Sequence, residues 1–296
     1  MSKSRRETHR DSMALPARPG WMAAAGAGAV EDAAFLAGAA LAHLHLVAGQ
    51  PAVPQALWRA RLALAAAEAC AGLLGRREGA GALRDALYLL RAGDQPGPAG
   101  AILRQWSRAV ERPISVAGLG AAIEAVGPET IGLALDATGG NPVDRAAAVI
   151  EAVLADTPRA ETAALILADA VLAKALGWDH VVPLLALALK ARDLRLRDDA
   201  LRLACYRAVG VAAGQAAPLA ADLALRAARL RAVVPKLRAK GAGRAVDLFL
   251  SRDALAPGAL VGVMSDRAAR RFCDRLVDLG VLREVTGRDV FRLYGL

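Results

Sequence analysis

The chain has 296 residues, enough for two domains or for one large helical body with an appendage, and 55% of them are hydrophobic, ample for a buried core. Only 4% are aromatic, so that core is mainly Ala, Leu and Val, a composition that favours closely approaching helices over sheets. The formal charge of +9 is uneven: residues 1–20 hold five Lys/Arg against two Asp/Glu, residues 235–296 hold twelve against seven, and the long middle is close to neutral, so a polyanionic partner is expected to meet the ends rather than the body.

Residues 1–20 are polar, basic and proline-containing and read as a disordered arm, without the leucine-rich stretch and cleavage site of an export signal. Helical patterning begins near Val30. It predicts helices at about 30–48, 54–74, 79–91, 98–111, 115–126, 128–138, 142–155, 158–176, 181–191, 195–213 and 217–234. Asn141 before Pro142, and Thr157 before Pro158, read as N-caps with proline at the first helical position. Gly75, Gly93, Gly127 and Gly177 fall where helices should stop. The apolar stretch 162–189 is interrupted by Asp169, Lys174, Asp179 and Pro183, so no segment reads as membrane-spanning and no membrane partner is expected. Asp169 and Lys174 lie five apart, about 140° around a helix, and are expected at solvated edges or against neighbouring helices rather than as a catalytic pair.

A break falls at Pro235, where a basic segment carrying two glycines (235–243) begins. From Phe249 to Tyr294 the chain concentrates four of its eleven aromatic residues, large side chains that a small module needs for a core of its own. The expected organisation is therefore a disordered basic arm (1–20), an Ala-rich α-helical domain (21–234) and a separate C-terminal module (235–296). In that module a helix at about 244–252, with Val246, Phe249 and Leu250 inward, leads to a short helix at about 257–263. Ser265 is placed to cap a third helix that stops at Gly280. At 100° per residue, Ala268, Ala269, Phe272, Cys273, Leu276 and Leu279 fall within an arc of about 140°. Arg267, Arg270 and Arg271 lie opposite with Arg275 on the flank, interrupted by Asp266, Asp274 and Asp278. Residues 282–285 and 290–294 read as two short strands, with Arg283 and Arg292 pointing outward and Thr286-Gly-Arg-Asp289 as the turn.

That order of elements predicts a mostly α protein, a multi-helix bundle followed by a C-terminal winged helix-turn-helix with a small β-hairpin. Such a module docks the N-terminal part of its recognition helix against base edges, where arginine pairs bidentately with guanine or grips phosphate. Arg267, Arg270, Arg271 and Arg275 are the candidate DNA-contacting residues of the helix, and Arg288 is the candidate at the wing tip, within reach of the minor groove. Lys236, Arg238, Lys240 and Arg244 are candidate phosphate contacts, and a merely solvated linker is the competing reading for them. The bland explanation of the charge is coding bias, since arginine outnumbers lysine 33 to 5.

Other chemistry is sparse. His43 and His45 point about 160° apart on a helix and cannot share a metal. There is no HExxH, Walker A lysine or GxSxG, and the short Gly-Ala-Gly runs lack a third glycine and a preceding strand. Cys70, Cys205 and Cys273 are far apart and read as core thiols of a reducing cytosol. The loop 91–98 joins two helices and could bring Asp85, Arg91 and Asp94 together, with a structural turn as the favoured reading.

The ending Thr286-Gly-Arg-Asp-Val-Phe-Arg-Leu-Tyr-Gly295, with the helix before it, resembles bacterial winged helix-turn-helix modules, including those appended to some plasmid-borne and Fic-type proteins. The whole chain resembles the proteobacterial family catalogued as domain of unknown function 1403. That resemblance rests on three stretches. The first is Gly75-Arg-Arg-Glu78 with Leu83-Arg-Asp-Ala86 and the run from Arg91 to Gly100. The second is Leu167-Ala-Asp-Ala-Val-Leu-Ala173 with Leu176-Gly-Trp178. The third is the run from Pro235 to Gly243 with the C-terminal tail. It implies a helical fold and an intracellular bacterial protein, and brings no activity, substrate or cofactor. The expected function is a non-enzymatic, cytoplasmic, double-stranded-DNA-binding protein without metal or cofactor, a transcriptional regulator or a plasmid or mobile-element maintenance factor. A homodimer reading two half-sites is expected. The alternative is a protein–protein adaptor that docks partners on both bundle and winged helix.

Overall fold

A computed structural model describes residues 16–23, 29–90, 93–286 and 292–296. The alanine-rich sequence builds helices that approach closely: α1 (Val30–Ala48), α2 (Gln55–Leu73), α3 (Ala80–Tyr88), α4 (Pro98–Glu111), α5 (Val116–Gly120), α6 (Pro128–Asp136), α7 (Pro142–Asp156), α8 (Glu161–Ala175), α9 (Leu185–Ala188) and α10 (Asp198–Val233). Every residue of α8 from Thr162 to Ala173 is buried, which makes it the axis of the body. Around it α7, α6 and α9 pack directly, α2 pairs with α4, and α1 lies along α10. By length and apolar composition alone, α1 and the helix that includes α10 could each cross a membrane, although no segment was expected to.

Asn141 caps α7 as expected, its side-chain oxygen accepting from Val143 N (3.0 Å) and Asp144 N (3.1 Å), with Pro142 behind it. Other expectations need correction. The helix expected from 158 begins at Glu161. Thr157 instead terminates α7, and Arg159 in the left-handed region (φ 71°) separates the two helices. The expected helix 115–126 shrinks to α5, and Gly127 precedes α6 rather than ending a helix. Helix 181–191 is reduced to α9, because Asp169 of α8, fully buried, accepts from Leu184 N (3.1 Å) and Leu185 N (2.9 Å) and sets where the helix can start. Of the two places expected for Asp169, a solvated edge or a contact with a neighbouring helix, it takes the second, capping α9 from the interior. Burial pushes its pKa up to about 7 against the pull of those N–H groups.

The two helices expected at 195–213 and 217–234 are one. Pro218 sits inside α10, where it removes the hydrogen bond to the Gly214 carbonyl at a cost of about 3 kcal/mol. The helix continues because one face stays buried on both sides: Val209, Ala212, Ala213, Ala216, Ala220, Leu223, Ala227 and Leu230. Trp58 reinforces the interrupted turn by donating its indole N–H to the Ala216 carbonyl (3.0 Å).

Residues 16–23 lie against α1. His43 Nε2 bonds the Pro16 carbonyl (2.8 Å), and Trp21 stacks on Phe35 with centroids 5.7 Å apart. The remainder of the basic arm expected at 1–20 lies outside the described residues. All three cysteines are buried and free, and burial raises their thiols to about 11 at Cys70 and about 12 at Cys205 and Cys273.

Beyond the body come α11 (Ala242–Phe249), a 3-10 turn (Pro257–Leu260), α12 (Asp266–Asp278) and an antiparallel pair, β1 (Arg283–Glu284) with β2 (Tyr294–Gly295). Glu284 opposes Tyr294, and Tyr294 also pairs with Leu255 on its other edge through 2.9 Å hydrogen bonds in both directions. Buried side chains of these elements run into the same apolar core as those of the body.

Candidate nucleic-acid interface

Two glycines fix the frame of the C-terminal elements. Gly241 starts α11 with φ 88°, and a Cβ there would come within 2.8 Å of the Val263 carbonyl. Gly280 ends α12 with φ 66°, and Val281 N reaches back to the Leu276 carbonyl (3.0 Å), which turns the chain into β1. Between them α12 is strongly amphipathic. Ala269, Phe272, Cys273 and Leu276 are buried, and Phe249 of α11 and Leu260 of the 3-10 turn are fully buried beneath the same layer. Burying each such large side chain stabilises by roughly 1.5–3 kcal/mol, which holds the opposite face of α12 outward. Ser265 stands at the N-cap position, yet its hydroxyl makes no capping bond, contrary to expectation. Its backbone carbonyl alone begins the helix by accepting from Ala269 N (2.8 Å).

Arg267, Arg270, Arg271 and Arg275 are all exposed on that outward face. Arg270 pairs with Asp266 at 3.1 Å, an exposed i,i+4 contact worth about 0.3–0.5 kcal/mol, weak enough to exchange for a phosphate. Among the described residues no acid lies within ion-pair distance of Arg267, Arg271 or Arg275. Of the acids that interrupt the face, Asp266 is engaged with Arg270 and Asp274 accepts from the Tyr294 hydroxyl (3.2 Å). Lys236, Arg238, Lys240 and Arg244 are exposed on the segment entering α11 and at the start of that helix. Arg283 on β1 and Arg292, just before β2, are exposed as expected, with Arg292 3.7 Å from Glu284. Arg288 and the rest of the turn after Thr286 lie outside the described residues, as does Arg91 of the other candidate loop, where Asp94 is exposed and Asp85 half-buried.

A family model matches residues 6–296, nearly the whole chain. The chain belongs to the family described as "Protein of unknown function (DUF1403)". No curated protein matches it.

In this DUF1403 chain the residues that join the two regions escaped the sequence reading. Asp253, 1% exposed, receives Arg61 of α2 (2.7 Å) and Arg84 of α3 (2.6 Å, with a second contact at 3.1 Å). Arg61 also donates to the Leu296 carbonyl (2.9 Å), so the end of the chain is held by the same guanidinium. A methyl group added at Gly295 would sit 2.7 Å from the Asp253 carbonyl, which measures how tightly β2 lies on this loop. The local signal was one acid between apolar residues 254–255 and 248–250. Its partners are about 170 to 190 positions away in sequence (separations 169 and 192), beyond any local pattern.

Proposed function

We propose that residues 235–296 are a winged helix-turn-helix and that the protein binds double-stranded DNA through α12, as a cytoplasmic regulator or a plasmid or mobile-element maintenance factor without enzymatic activity. The observation that carries the reading is the exposed arginine face of α12. Arg267, Arg270 and Arg271 lie in its first two turns, the end that meets base edges in helix-turn-helix docking, and Arg267 and Arg271 have no acid partner among the described residues. The strand pair supports the module assignment. It is tied to α12 by the contact of the Tyr294 hydroxyl with Asp274 and is backed by Leu255, and Arg288 is the residue proposed to reach the minor groove beside it. Lys236, Arg238, Lys240 and Arg244 extend the positive surface along the preceding segment as phosphate contacts. Three buried, unpaired thiols suit a reducing compartment.

The adaptor reading gains from arginines packed against the body, and those of α12 are solvent-facing. The test is fluorescence anisotropy on a labelled duplex at rising KCl. Affinity is expected to fall by about 100-fold or more between about 50 and about 200 mM. Absence of binding at the lower salt, or binding that ignores salt, would overturn the proposal.

A further inference from the structure

A cavity of about 350 Å³ opens where the end of α1, the start of α2 and residues 177–182 meet, remote in sequence from the C-terminal arginines. Its floor is Trp58, 1% exposed and locked by its bond to the Ala216 carbonyl. One wall is Trp178, half-buried, whose indole N–H donates to His45 Nδ1 at 2.8 Å with the two rings inclined by only 13°. An indole can only donate, so His45 is the acceptor in this contact, at Nδ1. Arg59 and His180 line the same cavity. Arg59 is half-buried and donates its Nε to the Val110 carbonyl (3.2 Å). Among the described residues no carboxylate lies within ion-pair distance of its guanidinium. His180 is held in place by backbone pairing with Pro113, and Ile114 N bonds the Asp179 carbonyl (2.8 Å). Burial, then the positive charge of Arg59, keep the His180 imidazole below its ordinary pKa against the weaker pull of exposed Asp179.

A half-buried guanidinium without a counter-charge is unfavourable, and an anion that reaches it gains a charge-assisted, bidentate contact. The volume sits at the lower end of the range for ligand pockets, about 300–1,000 Å³, which suits one or two rings. The aromatic walls favour a flat apolar body. The geometry points to a binding site for a small aromatic carboxylate, its carboxylate on Arg59 and its ring against Trp178. This site stands apart from the DNA reading and does not depend on it.

The test is calorimetric titration of the full-length protein with benzoate, salicylate and indole-3-carboxylate. Benzamide serves as the uncharged isostere and inorganic phosphate as the anion without a ring. At least one of the three carboxylates is expected to bind about 10-fold or more tighter than benzamide and phosphate. Arg59→Gln should weaken that binding about 10- to 100-fold, the range of a charged hydrogen bond, with unchanged helical circular dichroism. Trp178→Leu should weaken it as well. The comparison among wild-type ligands decides even where a variant fails to fold. Equal binding of benzamide or phosphate, no carboxylate binding below about 10 mM, or full binding by folded Arg59→Gln would each overturn the proposal.

Discussion

The deepest charges of the helical body and those on the outward face of α12 are disposed differently. Several arginines of the body are drawn into pairs: Arg61 and Arg84 with Asp253, Arg202 with Asp144 and Asp199, Arg226 with Asp222. Its deepest acid, Asp169, is satisfied by backbone N–H groups. On α12 the arginines stand in solvent, and Arg267, Arg271 and Arg275 have no acid partner among the described residues. The difference teaches that a paired arginine here is structural, whereas an arginine left unpaired on a surface held rigid by Phe249, Leu260 and Phe272 is available to a partner.

The largest effect is expected at the joint. Asp253→Ala leaves two nearly buried guanidinia unpaired and should destabilise by about 3–5 kcal/mol in chemical denaturation. A loss under about 1 kcal/mol would mean that the clamp is incidental. Next comes the support of the arginine face. Leu276→Ala removes a fully buried side chain of α12 and should lose about 2–5 kcal/mol. Duplex affinity should fall with it, because the face is only as ordered as the layer beneath it.

The third concerns Asp169. Its folded pKa, about 7, lies above the ordinary 3.8, so between those values the unfolded chain releases a proton that the folded chain keeps. Its contribution is therefore fully present below about pH 4 and declines as pH rises towards 7, the reverse of an acid held by a salt bridge. Subtracting the stability-versus-pH curve of Asp169→Asn from that of wild type should leave this falling component, and a flat difference would refute it. The smallest effect is at Arg270→Ala, which breaks only an exposed pair with Asp266 and should change stability by no more than about 0.5 kcal/mol.

Much of this contrast was legible in the sequence, wherever the deciding contact is local. Asn141 with Pro142 announced the start of α7. Gly280 announced the end of α12. The apolar stripe from Ala268 to Leu279 foretold which side of that helix would be buried. Local rules also misled where packing overrode them. The helices expected at 195–213 and 217–234 are one, because the buried positions that recur every three or four residues through 209–230 run straight across Pro218. Ser265 occupies a capping position without using its hydroxyl. Thr157–Pro158 looked like a helix start, but left-handed Arg159 delays α8 to Glu161. Contacts between distant segments left no trace to read: Asp169 fixing the start of α9, Asp253 gathering Arg61 and Arg84, and Arg59 meeting His180 beside two tryptophans. Each needs the tertiary fold to bring its members together.

The most direct test of the arginine face is duplex binding by Arg267→Ala/Arg271→Ala beside Arg192→Ala/Arg195→Ala, which removes the same charge from exposed positions on the body. The account predicts that the α12 pair abolishes the shift of duplex DNA, while the body pair leaves it nearly intact. Equal binding by the two double variants, or undiminished binding by the α12 pair, would contradict it.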